Sequence, residues 1–407
     1  MAKRYLTEDF GIAPKDFFTI LFLLFNALSW YFMNKRILYV ILNDLGTTHL
    51  QNLIIWGVYN LTIIGSGVAG SILSNKIKRR MFIYLWILLG TVASAVPGFL
   101  PNITLMHLLG ISFLWGISFG VGMPSCLAYF ADFTVFENRG RMSGIIFLAT
   151  NLSAPFVVML LRINLPMSFA ISAIWRGLGG LIMVLLLKPA ENLTLEKKVH
   201  ISFTSIFHNK SFLLYLIPWF MFSLIDRFEK TFFERFLEPD LFNLLITIGL
   251  IIGTIFAFVG GLLCDWVGRK RVVIYGFISL GLAYAAIGIA PTLLSWYFYS
   301  IIDGIAWGVF TVTFFLILWG DLSSSGAREK YYAIGIIPFF FADFIGLLFT
   351  PYVLVESSAA FSVASLFLFL AVLPLMYAPE TLPEKKIRLR RLRKYVEAAK
   401  KVKKKYI

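Results

Sequence analysis

The sequence has few charged residues, few cysteines and few histidines, and each scarcity excludes a class of protein. Charged residues make up 14% of the 407 residues, whereas soluble domains carry about 25%, so a large soluble core is excluded. Two cysteines are too few for a disulfide framework, and both lie in apolar runs, where a thiol serves as packing. No metal-ligand spacing and no Walker loop is visible. We therefore expect no metal, no cofactor and no direct use of ATP.

Apolar residues are abundant and occur in long blocks. They form 59% of the chain, and a bilayer core about 30 Å thick needs about 20 of them per helix. Blocks of this length, separated by clusters of glycine, proline, asparagine and charge, predict twelve transmembrane helices. The predicted spans are 17–42, 49–73, 81–98, 103–131, 142–162, 168–187, 211–236, 241–264, 271–289, 293–320, 331–352 and 359–378.

Most basic residues lie on one side of the membrane when the chain is arranged in these twelve spans. Thirty of the 37 Lys and Arg residues fall in the two termini and in the loops on the same side of the membrane, and the other seven fall within spans. The positive-inside rule then predicts that both termini are cytoplasmic, and we expect the plasma membrane. The tail 381–407 supplies most of the net charge of +15. It is expected to lie on anionic lipid, or else to dock a partner, and nucleic-acid binding is not expected.

The chain repeats itself with an offset of about 191 residues. Arg36 aligns with Arg227 in the first span of each half, and Trp115-Gly116 aligns with Trp307-Gly308 in the fourth. An internal repeat places a binding site at the midplane between two halves. The predicted fold is an all-α membrane protein with twelve transmembrane helices in two pseudo-symmetric six-helix bundles. Its predicted parts are the N-terminus 1–16, the bundles 17–187 and 211–380, the linker 188–210, and the tail 381–407.

A specific motif, Gly-Leu-Leu-Cys-Asp-Trp-Val-Gly-Arg-Lys, occupies Gly261 to Lys270. It resembles the loop between the second and third spans of each half in the major facilitator superfamily. The first-half copy is eroded, since Asn75 and Lys78 replace the acid and the glycine. The segments Glu137–Arg141 and Pro379–Thr381 resemble other parts of the family, the latter the ending of sugar porters. The resemblance covers the chain from the first span to that ending.

The resemblance implies a cytoplasmic latch whose contacts break and reform as the two halves rock. An acid near a helix end and two adjacent cations suit such a charged contact. The latch residues that the resemblance implies are Gly261, Asp265, Gly268, Arg269, Lys270, Arg139 and Arg141.

Two departures from the family pattern bear on the solute. Sugar porters and several proton symporters carry an acid in the first span, and this first span has none. Exporters carry a Gly-Pro motif in the fifth span, whereas this chain reads Asn-Leu-Ser-Ala-Pro over 151–155. The second departure counts against drug antiport.

Polar side chains at membrane depth are the candidates for solute contact, because charge is costly there. Placed at 100° per residue, they form stripes on several spans. Tryptophans are expected to stack on a sugar or ring, unless they serve as packing. Arg36, Arg162 and Arg227 suit a carboxylate or phosphate, whereas Lys35 is expected to point away. The predicted substrate-binding residues are Asn26, Trp30, Arg36, Asn60, Asn151, Trp219, Arg227 and Trp307.

Acidic residues within the spans are the candidates for proton coupling. A carboxyl group kept in a low-dielectric medium holds a proton unless a nearby cation keeps it ionised. Asp226, Asp303 and Asp343 are the predicted carriers. Asp303 and Asp343 are preferred because neither has a charged neighbour in the sequence, whereas Asp226 adjoins Arg227.

These observations predict a monomeric secondary active transporter that works by alternating access. Proton symport of a sugar, an organic acid or another small polar metabolite is the first expectation. The alternatives are a multidrug or metabolite efflux antiporter and a transport-dead membrane sensor. An enzyme is not expected, because no paired catalytic constellation emerges from the spans.

Overall fold

The computed structural model describes residues 14–160, 164–186, 201–324, 326–349 and 357–382. The predictions for Arg162, for most of the linker and for the tail beyond 382 lie outside these residues. The described chain folds into twelve membrane-length helices, as the apolar blocks predict. They are α1 Pro14–Asp44, α2 His49–Leu73, α3 Arg79–Phe99, α4 Leu105–Phe133, α5 Arg139–Met159, α6 Leu165–Leu186, α7 Lys210–Phe236, α8 Pro239–Trp266, α9 Arg269–Ile289, α10 Leu293–Leu322, α11 Arg328–Phe349 and α12 Ser357–Tyr377.

Local sequence explains where several helices begin. Thr48 caps α2 with a capping box: its hydroxyl oxygen accepts from the Gln51 amide, and the Thr48 amide donates to the Gln51 side-chain oxygen. Thr104 and Asn209 cap α4 and α7 through their side chains. These polar caps satisfy amide groups that a helix leaves without partners at its first turn. The described helix ends lie within three residues of the predicted ones.

Two helices are irregular near the centre of the molecule. A short interruption at Val121-Gly122 divides α4, and the Trp86 ring packs so closely on Gly122 that a side chain there would overlap it. In α10, residues Thr311–Ile317 form a π-helical segment. Segments of this kind interrupt the regular ladder and often occur at functional sites.

The two six-helix bundles meet mainly along two helix pairs. Helix α5 of the first bundle packs on α8 of the second, and α2 packs on α11. The α5–α8 pair approaches closely because glycines face each other, Gly140 and Gly144 on α5 and Gly261 on α8. Small residues allow helix backbones to come together in a membrane, where dispersion and hydrogen bonds drive association.

One end of the molecule bears the turns between α2 and α3, α4 and α5, α8 and α9, and α10 and α11. We call it the latch face. The linker helix Phe203–Phe207 lies at the same end, because it precedes the start of α7. The other end bears the turns between α1 and α2 and between α7 and α8, and we call it the opposite face.

Candidate functional site: a cavity between the bundles

A cavity of about 440 Å³ lies between the two bundles. On the side of the latch face it ends at Phe147 and Phe315, near the middle of the helices. Towards the opposite face it reaches Leu237 and Phe242, which flank the α7–α8 turn. The cavity thus joins the midplane to the opposite face, whereas the bundles are in contact at the latch face.

Three acids on the second bundle face this cavity. Asp226 and Glu229 lie on α7 and Asp303 lies on α10. Glu229 accepts hydrogen bonds from the hydroxyl groups of Tyr284 and Tyr299, and it is close enough to Asp303 to interact electrostatically. Among the described side chains, no cation forms an ion pair with Glu229 or Asp303.

Asp226 has a different environment from the other two acids. The Trp307 indole Nε1 donates to Asp226 Oδ1 at 2.8 Å, and Arg227 Nε lies 3.9 Å from Asp226 Oδ2. A donor and a cation both stabilise the ionised carboxylate. Asp226 thus has both a hydrogen-bond donor and a cation among its partners, and Trp307 lines the same cavity wall.

A second charged group joins the two bundles. Lys35 of α1 reaches across the interface, and its Nζ lies 3.2 Å from Asp343 Oδ2 on α11. Arg227 of α7 forms an ion pair with the other oxygen of Asp343. Asp343 is 6% exposed, and buried charges of this kind require paired partners. The carboxylate of Asp343 is thus shared between two cations from two bundles.

Aromatic rings surround the Lys35 ammonium group. Its Nζ lies 5.9 Å from the Tyr31 ring centroid and 6.0 Å from those of Trp56 and Phe339. An ammonium group within about 6 Å of a ring face is attracted by the ring quadrupole. We call Tyr31, Trp56, Phe339 and Asp343 the ammonium cage.

Of the eight predicted substrate-binding residues, Asn151, Arg227 and Trp307 line the cavity. Four others are buried inside the bundles, because helices in a bundle have several polar faces and only one meets the cavity. Trp30 donates to Ser94 Oγ at 2.7 Å, and Trp219 donates to the Gly335 carbonyl at 3.1 Å while it stacks on Phe314. The four buried residues are Asn26, Trp30, Asn60 and Trp219.

The prediction that Arg36 faces the solute and that Lys35 points away from it was wrong. Arg36 is exposed and lies over the Tyr39 ring, 5.0 Å from its centroid, whereas Lys35 lines the cavity. Successive helical residues are 100° apart, so a small error in the orientation of α1 exchanges the two.

The three predicted proton carriers lie within one region, but their environments separate them. Asp343 has no charged neighbour in the sequence, yet tertiary contacts give it Lys35 and Arg227 as partners. It therefore lacks the isolation for which it was preferred. Asp303 has no described cation as an ion-pair partner, and its charged neighbours are the acids Glu229 and Asp226. Glu229 was missed, although an acid at membrane depth was the available signal.

The predicted latch residues come together at the α5–α8 contact. Asp265 accepts hydrogen bonds from the Gly140 and Arg141 amides, both at 2.9 Å, and so caps α5 of the other bundle. Arg269 lies 3.4 Å from Asp265 and 3.1 Å from Asp321, and Arg139 forms an ion pair with Asp321. The role of this network as a latch remains a prediction.

The rest of the motif ties the network to the end of α12. The Arg269 amide donates to Glu380 at 2.8 Å, and Lys270 Nζ donates to the Met376 carbonyl at 2.7 Å. Gly268 has φ +114° and lies against the Glu380 carboxylate, so a side chain there would be strained and would overlap it. Asp321 was missed by the sequence reasoning.

A second ionic contact crosses the bundles at the latch face. Arg79 forms ion pairs with Asp132 of its own bundle and with Glu329 of the other. Arg328 of the second bundle pairs with Asp132. The eroded first-half motif therefore still supplies an ionic contact between the bundles, through a different acid.

Twelve apolar helices in two bundles around a central cavity define a multi-pass membrane protein with a transporter fold. The family model of the Major Facilitator Superfamily matches residues 18–234. The chain belongs to this superfamily, whose members are secondary transporters rather than enzymes. The resemblance at the loops and the predicted fold class are thereby confirmed. No curated protein matches the sequence.

Two solved structures are similar in fold. The human organic anion transporter MFSD10 (TETRAN) has 16% identity and a TM-score of 0.68, with 89% of this chain and 100% of that chain covered. The MFS proton:xylose symporter XylE, bound to 6-bromo-6-deoxy-D-glucose, has 15% identity and a TM-score of 0.69, with 90% and 96% covered. At these identities the similarity shows the fold alone.

Proposed function

We propose that the chain transports a small organic solute through the cavity between its bundles and couples this movement to protons. The first candidate is proton symport of a sugar, an organic acid or another polar metabolite by alternating access. A cavity that meets one face while the other is closed supports this proposal, because alternating access needs such states.

The observation that carries proton coupling is the environment of Glu229 and Asp303. Both face the cavity, and no described side chain forms an ion pair with either. Burial among aromatic rings favours the neutral form of a carboxyl group, whereas exposure to water favours ionisation. A carboxyl group that meets each face in turn can therefore take up a proton on one side and release it on the other.

The latch face is assigned to the cytoplasm. The asymmetry of basic residues supports this assignment, and it makes the described conformation outward-facing. We further propose a monomer in the plasma membrane with both termini in the cytoplasm. In this arrangement 17–187 and 211–380 are the bundles, 188–210 links them, and the basic tail 381–407 contacts lipid.

The second candidate is efflux of a hydrophobic solute in exchange for protons. The cavity wall favours it, because eleven of its 29 residues are Phe, Tyr or Trp. Aromatic walls bind apolar ligands well. The two candidates differ in the direction in which solute moves relative to the proton gradient.

Uptake by proteoliposomes tests proton coupling directly. A panel of sugars, organic acids, amines and hydrophobic cations is offered with and without an imposed proton gradient. We expect one class to accumulate only with the gradient. In Glu229→Gln and Asp303→Asn, accumulation should fall to passive equilibration while solute exchange between the two sides continues, because the proton sites are lost and the solute path remains.

Ser300→Ala is the matched control, since Ser300 also lines the cavity but carries no charge. It should keep gradient-driven accumulation. Unchanged accumulation in the doubly substituted Glu229→Gln/Asp303→Asn protein would exclude these acids as the proton sites. Expulsion of hydrophobic cations would favour the second candidate.

A further inference from the structure

The ammonium cage holds the charged end of Lys35 between the two bundles. Three aromatic rings and one carboxylate surround the Lys35 Nζ atom, at 5.9–6.0 Å from the ring centroids and 3.2 Å from the carboxylate oxygen. The same combination of rings and an anion recognises free ammonium ligands. The chemistry of the cage is therefore complementary to an ammonium ion, whether the ion is tethered or free.

The cage is accessible from the cavity and built from both bundles. Tyr31 and Phe339 line the cavity wall, as Lys35 itself does. Tyr31 and Trp56 belong to the first bundle, whereas Phe339 and Asp343 belong to the second. The Lys35 side chain is 29% exposed, and its four-carbon stem is flexible. Partial exposure and a flexible stem allow the side chain to change rotamer at the cavity wall.

The charges around the cavity favour a cation over an anion. The charged groups are two basic residues, Lys35 and Arg227, and four acids, Asp226, Glu229, Asp303 and Asp343. The formal sum is two minus four, or −2, when all four acids are ionised, and two minus two, or 0, when Glu229 and Asp303 carry protons. An apolar wall with low dielectric strengthens the field of such a charge. With all four acids ionised, an organic cation entering this space is attracted. In neither protonation state does the cavity carry the net positive charge that would attract a carboxylate solute.

We propose that the cavity binds a small organic ammonium ion, that the ammonium cage is its subsite, and that Lys35 is a tethered competitor that holds the cage in the solute-free state. This proposal rests on the proposed function and names its solute class. The solute occupies the cage, and Lys35 moves out into the cavity. Arg227 remains on the other oxygen of Asp343.

Displacement of Lys35 has a mechanical consequence. The Lys35–Asp343 ion pair joins α1 of one bundle to α11 of the other. A solute that takes the place of Lys35 replaces this ion pair with its own contacts to rings and a carboxylate from both bundles, and a ligand shifts a conformational equilibrium by the contacts that it changes. Solute binding at the cage therefore changes the contact between the bundles.

Equilibrium binding to the purified full-length protein tests the solute class. The probes are choline, phenethylamine and putrescine, the neutral carbon isostere of choline, and benzoate as an organic anion. We expect at least one ammonium probe to bind more tightly than the neutral isostere and the anion. Tighter binding of the isostere or of benzoate than of all three ammonium probes in the wild-type protein would overturn the proposal without any variant.

Variants of the competitor test its role. Lys35→Met removes the tethered ammonium but keeps an unbranched apolar chain, so affinity for the ammonium probe should rise about tenfold if the cage is free about a tenth of the time in the wild type. Lys35→Arg keeps a cation and should bind like the wild type. Asp343→Asn should lose ammonium binding. Weaker ammonium binding in Lys35→Met, or unchanged ammonium binding in Asp343→Asn, would overturn the proposal.

The outcomes separate this inference from the proposed function. Proton-driven uptake of a sugar or an organic acid, with no ammonium binding in the wild type or in Lys35→Met, overturns the inference and leaves the proposed function intact. Ammonium binding that Lys35→Met strengthens, with transport that ignores the proton gradient, supports the inference and excludes proton coupling.

Discussion

Single buried polar residues hold the first bundle together. Arg176 of α6 lies between two tryptophan rings, with its guanidinium carbon 4.9 Å from the Trp30 centroid and 4.1 Å from that of Trp86. It donates to Asn26 Oδ1 at 2.9 Å, and Gly179 makes room for the Asn26 side chain. Interhelical hydrogen bonds and cation–π contacts of this kind join helices within a membrane.

Replacing Asn26 tests whether these residues stabilise the bundle rather than contact solute. Asn26→Ala leaves Arg176 with one acceptor fewer, at a cost of about 1–3 kcal/mol for a buried donor. We expect a lower Tm in thermal denaturation and an unchanged solute Kd. Asn151→Ala is the control, because Asn151 lines the cavity and should change Kd with little change in Tm. An unchanged Tm and a weaker solute Kd in Asn26→Ala would show that Asn26 contacts the solute.

At the scale of elements, the α5–α8 contact brings the two bundles together at the latch face. The two helices touch through glycine backbones, and a methyl group on Gly261 would overlap the Gly140 carbonyl oxygen. Asp265 then caps α5 through two amides, which requires the same close approach. Backbone proximity and the ionic network therefore depend on each other.

Gly261→Ala should push α5 away from α8 and favour a conformation in which the latch face is open. Spin labels are attached at Lys76→Cys and Arg271→Cys, both of which are exposed at the latch face. Pulsed electron paramagnetic resonance should show a longer distance between the two labels than in the protein that keeps Gly261. Cys126 and Cys264 are buried and should stay unlabelled. Gly65→Ala is the matched control, because its methyl group meets no atom within 4 Å. Identical distances in both variants would show that this contact does not control the latch face.

At the scale of the whole molecule, the described state has one face closed by ionic contacts and a cavity that reaches the other. The ion pairs of Arg79, Asp132, Glu329 and Arg328 lie beside the α5–α8 network and cross the same interface. These pairs are partly exposed, and such a pair contributes about 0–1 kcal/mol. In the α5–α8 network the side chains of Asp265, Arg269 and Asp321 are buried, and removing one partner of a buried pair costs about 3–5 kcal/mol. Such contacts can hold one state until solute and protons offset them.

A covalent link at the latch face should stop transport without stopping binding. In a protein with Asp132→Cys and Arg328→Cys, a short bifunctional methanethiosulfonate reagent, which attaches to each cysteine through a reducible disulfide bond, should abolish solute flux across the membrane, because the bundles can no longer separate there. Solute binding should persist, since the cavity lies on the opposite side of the contact. Reductive cleavage should restore flux, and Asp132→Cys alone should be insensitive. Full transport in the cross-linked protein would show that this face need not open.

Sequence determined the parts of this protein that depend on local chemistry. The lengths of the apolar blocks determined twelve spans, because a bilayer of fixed thickness accepts helices of a narrow range of lengths. The motif around Asp265 identified the contact at the latch face, because its residues are adjacent along the chain. The repeat offset indicated two bundles with a cavity between them, since both halves carry the same pattern.

Tertiary structure alone decided which polar residues share that cavity. A helix inside a bundle has polar residues on several faces, and its rotation is determined by its neighbours rather than by its own periodicity. For this reason the sequence predicted Arg36 at the cavity, whereas the fold places Lys35 there. Charge neighbours are also a tertiary property. Asp343 stands alone in the sequence and has two cations in the fold, whereas Asp303 stands apart from described cations in both. The cage around Lys35 has the same origin, because its rings come from three helices and no local pattern brings them together.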